Sequence, residues 1–257
     1  MRNGISYAGP LAAVYLLSLY AWQDAGLPQL GHGALQYIIG AALAQILATA
    51  LMVKLFQLQN FAVGAGLAKS EALVAAVLGS LFFGTALTVT GWLGVLVGTV
   101  AVFLLSTHGG LKGLSFKTLL LGLGCGSAFA LTSLWVREAS LVLGLPFPHR
   151  AWVLLLVILL QTLLLLAWLL IKDKETLKKL WHRPRLTLAI SISSCLGSIG
   201  WFSAMSLTAV PYVKTLGQVE VFFMMLISSL WLKQWVKVKD MGGLVMIALA
   251  AVLVLWG

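Results

Sequence analysis

Long apolar runs separated by short polar stretches dominate the pattern of this chain. Nine of them, 5–22, 33–56, 60–83, 88–106, 116–141, 151–171, 185–206, 210–232 and 240–256, take up 194 of its 257 residues. A helix needs about 20 apolar residues to cross the hydrocarbon core of a bilayer, and each run meets or approaches that length. The runs are continuous rather than alternating at every second residue, so they predict helices, not the strands of a barrel. The connections are too short to hold a soluble domain. The expected fold is an all-α integral membrane protein with about nine transmembrane helices.

Composition narrows the function classes. Hydrophobic residues make up 61% of the chain, and only 24 residues are charged. A soluble domain carries about 25% charged residues, far more than this chain has. An ordinary soluble enzyme, a nucleic-acid-binding domain and a disordered chain are thereby excluded. The net charge of +10 has a simpler origin in loops on one side of a membrane. The linker 172–185 carries six basic residues, which predicts that it is cytoplasmic. Alternating spans then bring Arg2, Lys54, Lys112, Lys117, Lys233, Lys237 and Lys239 to the same side, thirteen basic residues against Arg137 and Arg150. This bias predicts a multi-pass protein of the plasma (inner) membrane with its C-terminus outside. Arg2 before the first run resembles the start of a signal peptide, but no convincing small-residue cleavage site follows Tyr20, and a retained span is expected.

Little else points to chemistry beyond the membrane. Cys125 and Cys195 lie inside apolar runs and form no disulfide framework or metal motif. His32, His108, His149 and His182 lack metal-ligand spacing. No phosphate-binding glycine loop is present, so ATP drive is not supported. No nucleophile and base cluster within the spans, which argues against an intramembrane enzyme. Neither metal nor cofactor is expected, and the partners are a small-molecule substrate and the lipid bilayer.

Sliding the chain on itself by 149 residues lays 34–106 over 183–255 without gaps. Leu67 and Glu71 fall on Leu216 and Glu220, Ser80 and Leu81 on Ser229 and Leu230, Val89 on Val238, and Gly94 on Gly243. Chance matches between apolar helices are common, but glutamates in spans are scarce, and two of them coincide. The match predicts a first repeat at 1–110 with four helices and a second at 111–257 with five. A five-helix repeat has an odd number of spans, so the second copy is inverted. Transporters built from inverted repeats hold their site near the midplane, between the copies.

The paired patterns carry a resemblance. Gly64, Gly66, Lys69, Ser70 and Glu71 are followed by Gly91 and Gly94; Lys214, Gly217, Gln218 and Glu220 are followed by Asp240, Gly242 and Gly243. This arrangement resembles the EamA-type transporters of the drug/metabolite transporter superfamily. The resemblance covers nearly the whole chain and implies a 5 + 5 plan. On that plan the chain begins at the second helix, and its basic linker falls in the second half rather than the first.

A carboxylate in the bilayer centre costs about 2.5–3.5 kcal/mol even on lenient scales. Glu71 and Glu220 therefore mark either buried pairs across a helix interface or a site for a proton or a substrate cation. Their equivalent positions favour the site. Lys69 and Glu71 are two residues apart, about 200° around a helix, and cannot pair with each other. Lys214 and Gln218 share a helix face, with Lys214 within reach of the outer interface. Gln45 and Thr49 fall under the shift on Ser194 and Ser198, which predicts that helices 33–56 and 185–206 line one space. Small polar residues also serve plain helix packing. Trp135, Trp201 and Tyr212 are candidate aromatic walls or interface anchors. Gly94 with Gly98, and Gly122 with Gly126, have the spacing of close helix approach, within the chain or in a homodimer.

The sequence thus points to a secondary transporter of a small organic metabolite or drug. A proton-coupled exporter working by alternating access fits best. A non-transporting or truncated membrane protein is the alternative, with an intramembrane enzyme behind it.

Overall fold

In the computed structural model, residues 31–58, 67–107, 116–144, 151–172, 184–223 and 238–256 are described. They form helices α1 (His32–Leu58), α2 (Glu71–Phe82), α3 (Val89–Thr107), α4 (Phe116–Val142), α5 (Ala151–Lys172), α6 (Pro184–Leu207), α7 (Val210–Leu216) and α8 (Val238–Leu255). A 3₁₀ turn, Gly217–Val219, follows α7. There is no strand among the described residues. Six apolar runs therefore reappear as helices with ends shifted by two residues at most. The run 5–22, the end of 210–232 and most of the basic linker lie outside the described residues.

Among the described residues, three helices are long and apolar enough to cross a bilayer: His32–Leu58, Phe116–Val142 and Trp152–Lys172. Glu71–Phe82, Val89–Leu105, Ile192–Leu207 and Gly242–Leu255 are shorter apolar helices. Rows of large apolar side chains remain uncovered on them, including Leu43 and Leu47 of α1, Leu81 and Phe82 of α2, Leu163 of α5 and Leu196 of α6. Such surfaces are a liability in water but match acyl chains, as expected of an integral membrane protein.

The expected continuous helix over 60–83 is interrupted. Lys69 and Ser70 form a turn, and α2 starts only at Glu71. At the other end, the Gly79 carbonyl accepts both Phe83 N–H at 3.1 Å and Thr85 N–H at 2.9 Å. Ser80 Oγ donates to the Thr85 carbonyl. Gly84 follows with φ +61°, a conformation that a side chain would resist. These contacts close α2 short of a full span.

The chain forms two compact units. One comprises Met1–Ile46 and Trp135–Leu207. Its core joins Ile38, Ala41 and Ala42 of α1, Val136 and Ala139 of α4, and Val153 and Val157 of α5. The Trp135 ring lies on Gly40, where a Cβ would come within 2.9 Å of it. Arg137 Nη1 donates to the Met205 carbonyl at 3.0 Å, joining α4 to α6.

The other unit comprises Leu47–Leu134 and Thr208–Gly257. Here α3 packs along α8, and α7 packs on α2, α3 and α8. Gly94 admits Val254 and the Ala250 carbonyl, and Gly243 admits Leu105. Ala101, Val102 and Ile247 form the apolar seam. Each unit draws on both halves of the sequence, since compactness follows packing whereas the division at 110 follows internal likeness.

Candidate functional site: a crossed set of ion pairs

The centre of the second unit is built on two irregular stretches. Before α2, Ser70 N–H donates to the Leu67 carbonyl and Ala72 N–H to the Lys69 carbonyl, both three residues back. Val74 N–H then donates to the Ser70 carbonyl, four back, in regular α fashion. After α7, the chain tightens in the same way through Gly217–Val219, and Glu220 N–H donates to the Gly217 carbonyl. Each glutamate thus follows directly on a tightened turn. Such 3₁₀ stretches inside helices are common at hinges and strained sites.

Glycines seat both stretches. A Cβ at Gly126 of α4 would strike Ser70 Oγ and approach the Glu71 backbone nitrogen, and one at Gly122 would strike Leu67. A Cβ at Gly98 of α3 would strike the Gln218 amide and meet Thr215. Of the two spacings that predict close approach, Gly98, Gly122 and Gly126 bring helix backbones against the glutamate segments, while Gly94 packs on α8.

Four charges meet there in crossed fashion. Lys214 Nζ lies 3.2 Å from Glu71 Oε2, with the two side chains 10% and 12% exposed. Lys69 Nζ pairs with Glu220 Oε1, with exposures of 22% and 44%. Each acid thus takes its lysine from the other stretch. The four charges sum to zero, which lowers the cost of holding them in an apolar surround, and removal of one partner strands the other. Lys214 is turned onto Glu71 and is only 10% exposed. Glu71 is also the first residue of α2, where the helix dipole favours negative charge.

Polar groups without hydrogen-bond partners among the described residues lie on the same two stretches. Ser70 Oγ, Thr215 Oγ1, and both Nε2 and Oε1 of Gln218 are buried with none among the described residues. Gln218 is fully buried. An unmatched buried amide is costly unless water or a ligand satisfies it. Ser70 and Thr215 escaped the sequence reading, although each stands next to a charged residue that it singled out.

Tyr212 has a different place. Its hydroxyl accepts Thr88 N–H at 3.1 Å and lies 3.3 Å from Thr88 Oγ1. Thr88 Oγ1 in turn accepts Gly91 N–H at 3.0 Å, capping the start of α3. The tyrosine fastens this cap, and its ring lies over Gly91.

The structure therefore gathers Lys69, Glu71, Lys214, Gln218 and Glu220 in one unit, which also holds Tyr212 and half-buried Thr49. Gln45, Trp135, Ser194, Ser198 and Trp201 belong to the other unit. There Trp135 packs with Tyr37 and Phe202 against the apolar core. Gln45, Ser198 and Trp201 are half-buried and Ser194 is exposed. Among the described residues, no three histidine, cysteine or acidic side chains come together as metal ligands would.

Comparison with known proteins follows the same lines. No curated protein matches the chain by sequence. One solved crystal structure of a protein aligns over 99% of this chain and 87% of its own, with a TM-score of 0.74 at 14% identity. That likeness speaks for the fold alone. The sequence profile of the EamA-like transporter family matches residues 116–256, more than half of the chain. The chain belongs to the EamA-like transporter family, membrane transporters of the drug/metabolite type.

Proposed function

We propose that this protein is a secondary transporter that exports a small organic metabolite or drug across the plasma (inner) membrane in exchange for protons. The observation that carries the reading is the crossed pairing of Lys69 with Glu220 and Lys214 with Glu71. A neutral set of four charges beside unmatched polar groups suits a step in which a proton or solute replaces one member of a pair. Purely structural ion pairs would not require unmatched polar groups on the same two stretches.

In this reading Glu71 and Glu220 are the coupling carboxylates. Lys69, Lys214 and Gln218 set their charge state and contact polar parts of the solute. Two inverted repeats, 1–110 and 111–257, rock against each other to give alternating access, with about nine spans in a 4 + 5 arrangement and the linker 172–185 in the cytoplasm. Gln45, Thr49, Ser194, Ser198, Trp135, Trp201 and Tyr212 line or brace the path. The protein works as a monomer or homodimer, without a cofactor.

The test uses purified protein in liposomes loaded with a pH-sensitive dye and challenged with a panel of metabolites and drugs. A transported solute moves protons in the wild type, and Glu71→Gln and Glu220→Gln each abolish that movement. Solute-driven proton movement that survives in both variants contradicts the proposal.

A further inference from the structure

The two glutamates are equivalent by sequence but not by setting. Glu71 and Lys214 are nearly enclosed, at 12% and 10% exposure. Glu71 starts a regular helix, and its backbone nitrogen is backed by Gly126. Lys214 lies in α7 between Val213 and Thr215, both buried. Both ends of this pair are held by regular helix and close packing. The second pair is looser. Glu220 is 44% exposed and Lys69 22%. Lys69 sits in the turn before α2 whereas Lys214 lies within α7; both glutamates follow a tightened turn, so the difference lies in exposure and in the seat of each lysine. Two residues before Glu220, Gln218 is fully buried against Gly98, with its amide unmatched among the described residues.

We infer that the pairs divide the work of the site: Glu220 is the carboxylate that solute and proton reach, with Lys69 as its displaceable counter-ion, whereas Glu71 and Lys214 are a fixed pin. The inference rests on the transport reading above and narrows it, moving the coupling role from both glutamates to Glu220. An accessible carboxylate whose counter-ion stands on a turn gives up that ion at low structural cost. The ligand group that takes its place carries positive charge, as a protonated nitrogen does. An enclosed pair cannot open without leaving a charge unpaired in an apolar surround. Glu71 is then a positioning residue, holding α2 against α7 while exchange takes place at Glu220.

A hydrophobic carbodiimide, which couples to accessible protonated carboxyl groups, tests this on the full chain in liposomes. Peptide mass spectrometry locates the adduct. The expected result is labelling of Glu220 several times faster than Glu71 in the wild type. A transported solute slows labelling at Glu220 and leaves Glu71 unchanged, and Lys69→Gln speeds labelling at Glu220 only. Charge exchange adds a functional readout. Glu71→Lys with Lys214→Glu restores part of the flux lost in Glu71→Gln, because a pin needs only its pair. Glu220→Lys with Lys69→Glu restores none. Faster or equal labelling of Glu71, or protection of Glu71 by solute, overturns the division of labour. The wild-type labelling order needs no variant and no flux. It therefore reads separately from the transport reading, which fails only if both glutamine variants keep their flux.

Discussion

Glycine serves apolar packing in both units, and in one of them it also seats polar groups. In the unit of Met1–Ile46 and Trp135–Leu207, Gly40 receives the face of Trp135, and the surrounding core is Ile38, Val136, Val153 and Val157. Every partner there is apolar, so close approach serves dispersion contact. In the unit of Leu47–Leu134 and Thr208–Gly257, Gly98 and Gly126 receive an amide, a hydroxyl and a backbone nitrogen. Close approach there brings polar groups into the interior and leaves several unmatched. The first unit is accordingly expected to tolerate any repacking that keeps its volume. The second depends on polar geometry, and small changes in it should reach function first.

The sharpest break in this contrast is Lys214→Leu. It strands Glu71 in an enclosed position and is expected to cost about 3–5 kcal/mol of stability, read as a fall in melting temperature of the purified protein, together with loss of flux. Trp135→Ala has a somewhat smaller expected stability cost, about 3 kcal/mol by loss of a half-buried ring packed on the core. It should nonetheless leave the half-saturation constant for solute near that of the wild type, which separates the frame from the site. Gly98→Ala forces the Gln218 amide to move and is expected to cost about 1–3 kcal/mol, with a raised half-saturation constant as the distinguishing readout. Tyr212→Phe removes the hydroxyl that fastens Thr88 and should cost about 1 kcal/mol, seen as faster amide exchange at the start of α3. Lys69→Ala, at the more open pair, is expected to change stability by less than about 1 kcal/mol while changing the pH dependence of flux.

Much of this was open to reading from the residues. Hydropathy located α1, α3, α4, α5, α6 and α8, because nothing but a helix accommodates an apolar run of such length in lipid. The shift of 149 residues paired Glu71 with Glu220, and the 200° separation excluded a bond between Lys69 and Glu71. Glycine spacing foretold the close approaches at Gly94, Gly98, Gly122 and Gly126. The break before Glu71 was not legible. Neither Gly nor Pro stands among residues 67–72, and hydropathy does not distinguish a hydrogen bond three residues back from one four back. The choice of lysine for each acid was equally hidden, since it depends on how α7 packs on α2. The sequence leaves Trp135 and Tyr212 as walls of a solute path or interface anchors, because aromatic residues near span ends serve several ends. The structure shows a core ring in one case and a fastened helix cap in the other.

The central claim is that the crossed glutamates carry transport, and solute-driven proton flux in liposomes tests it most directly. Wild type, Glu71→Gln and Glu220→Gln are compared at equal amounts of folded protein. The account predicts coupled flux in the wild type and none in either variant. Undiminished flux in both variants would contradict it.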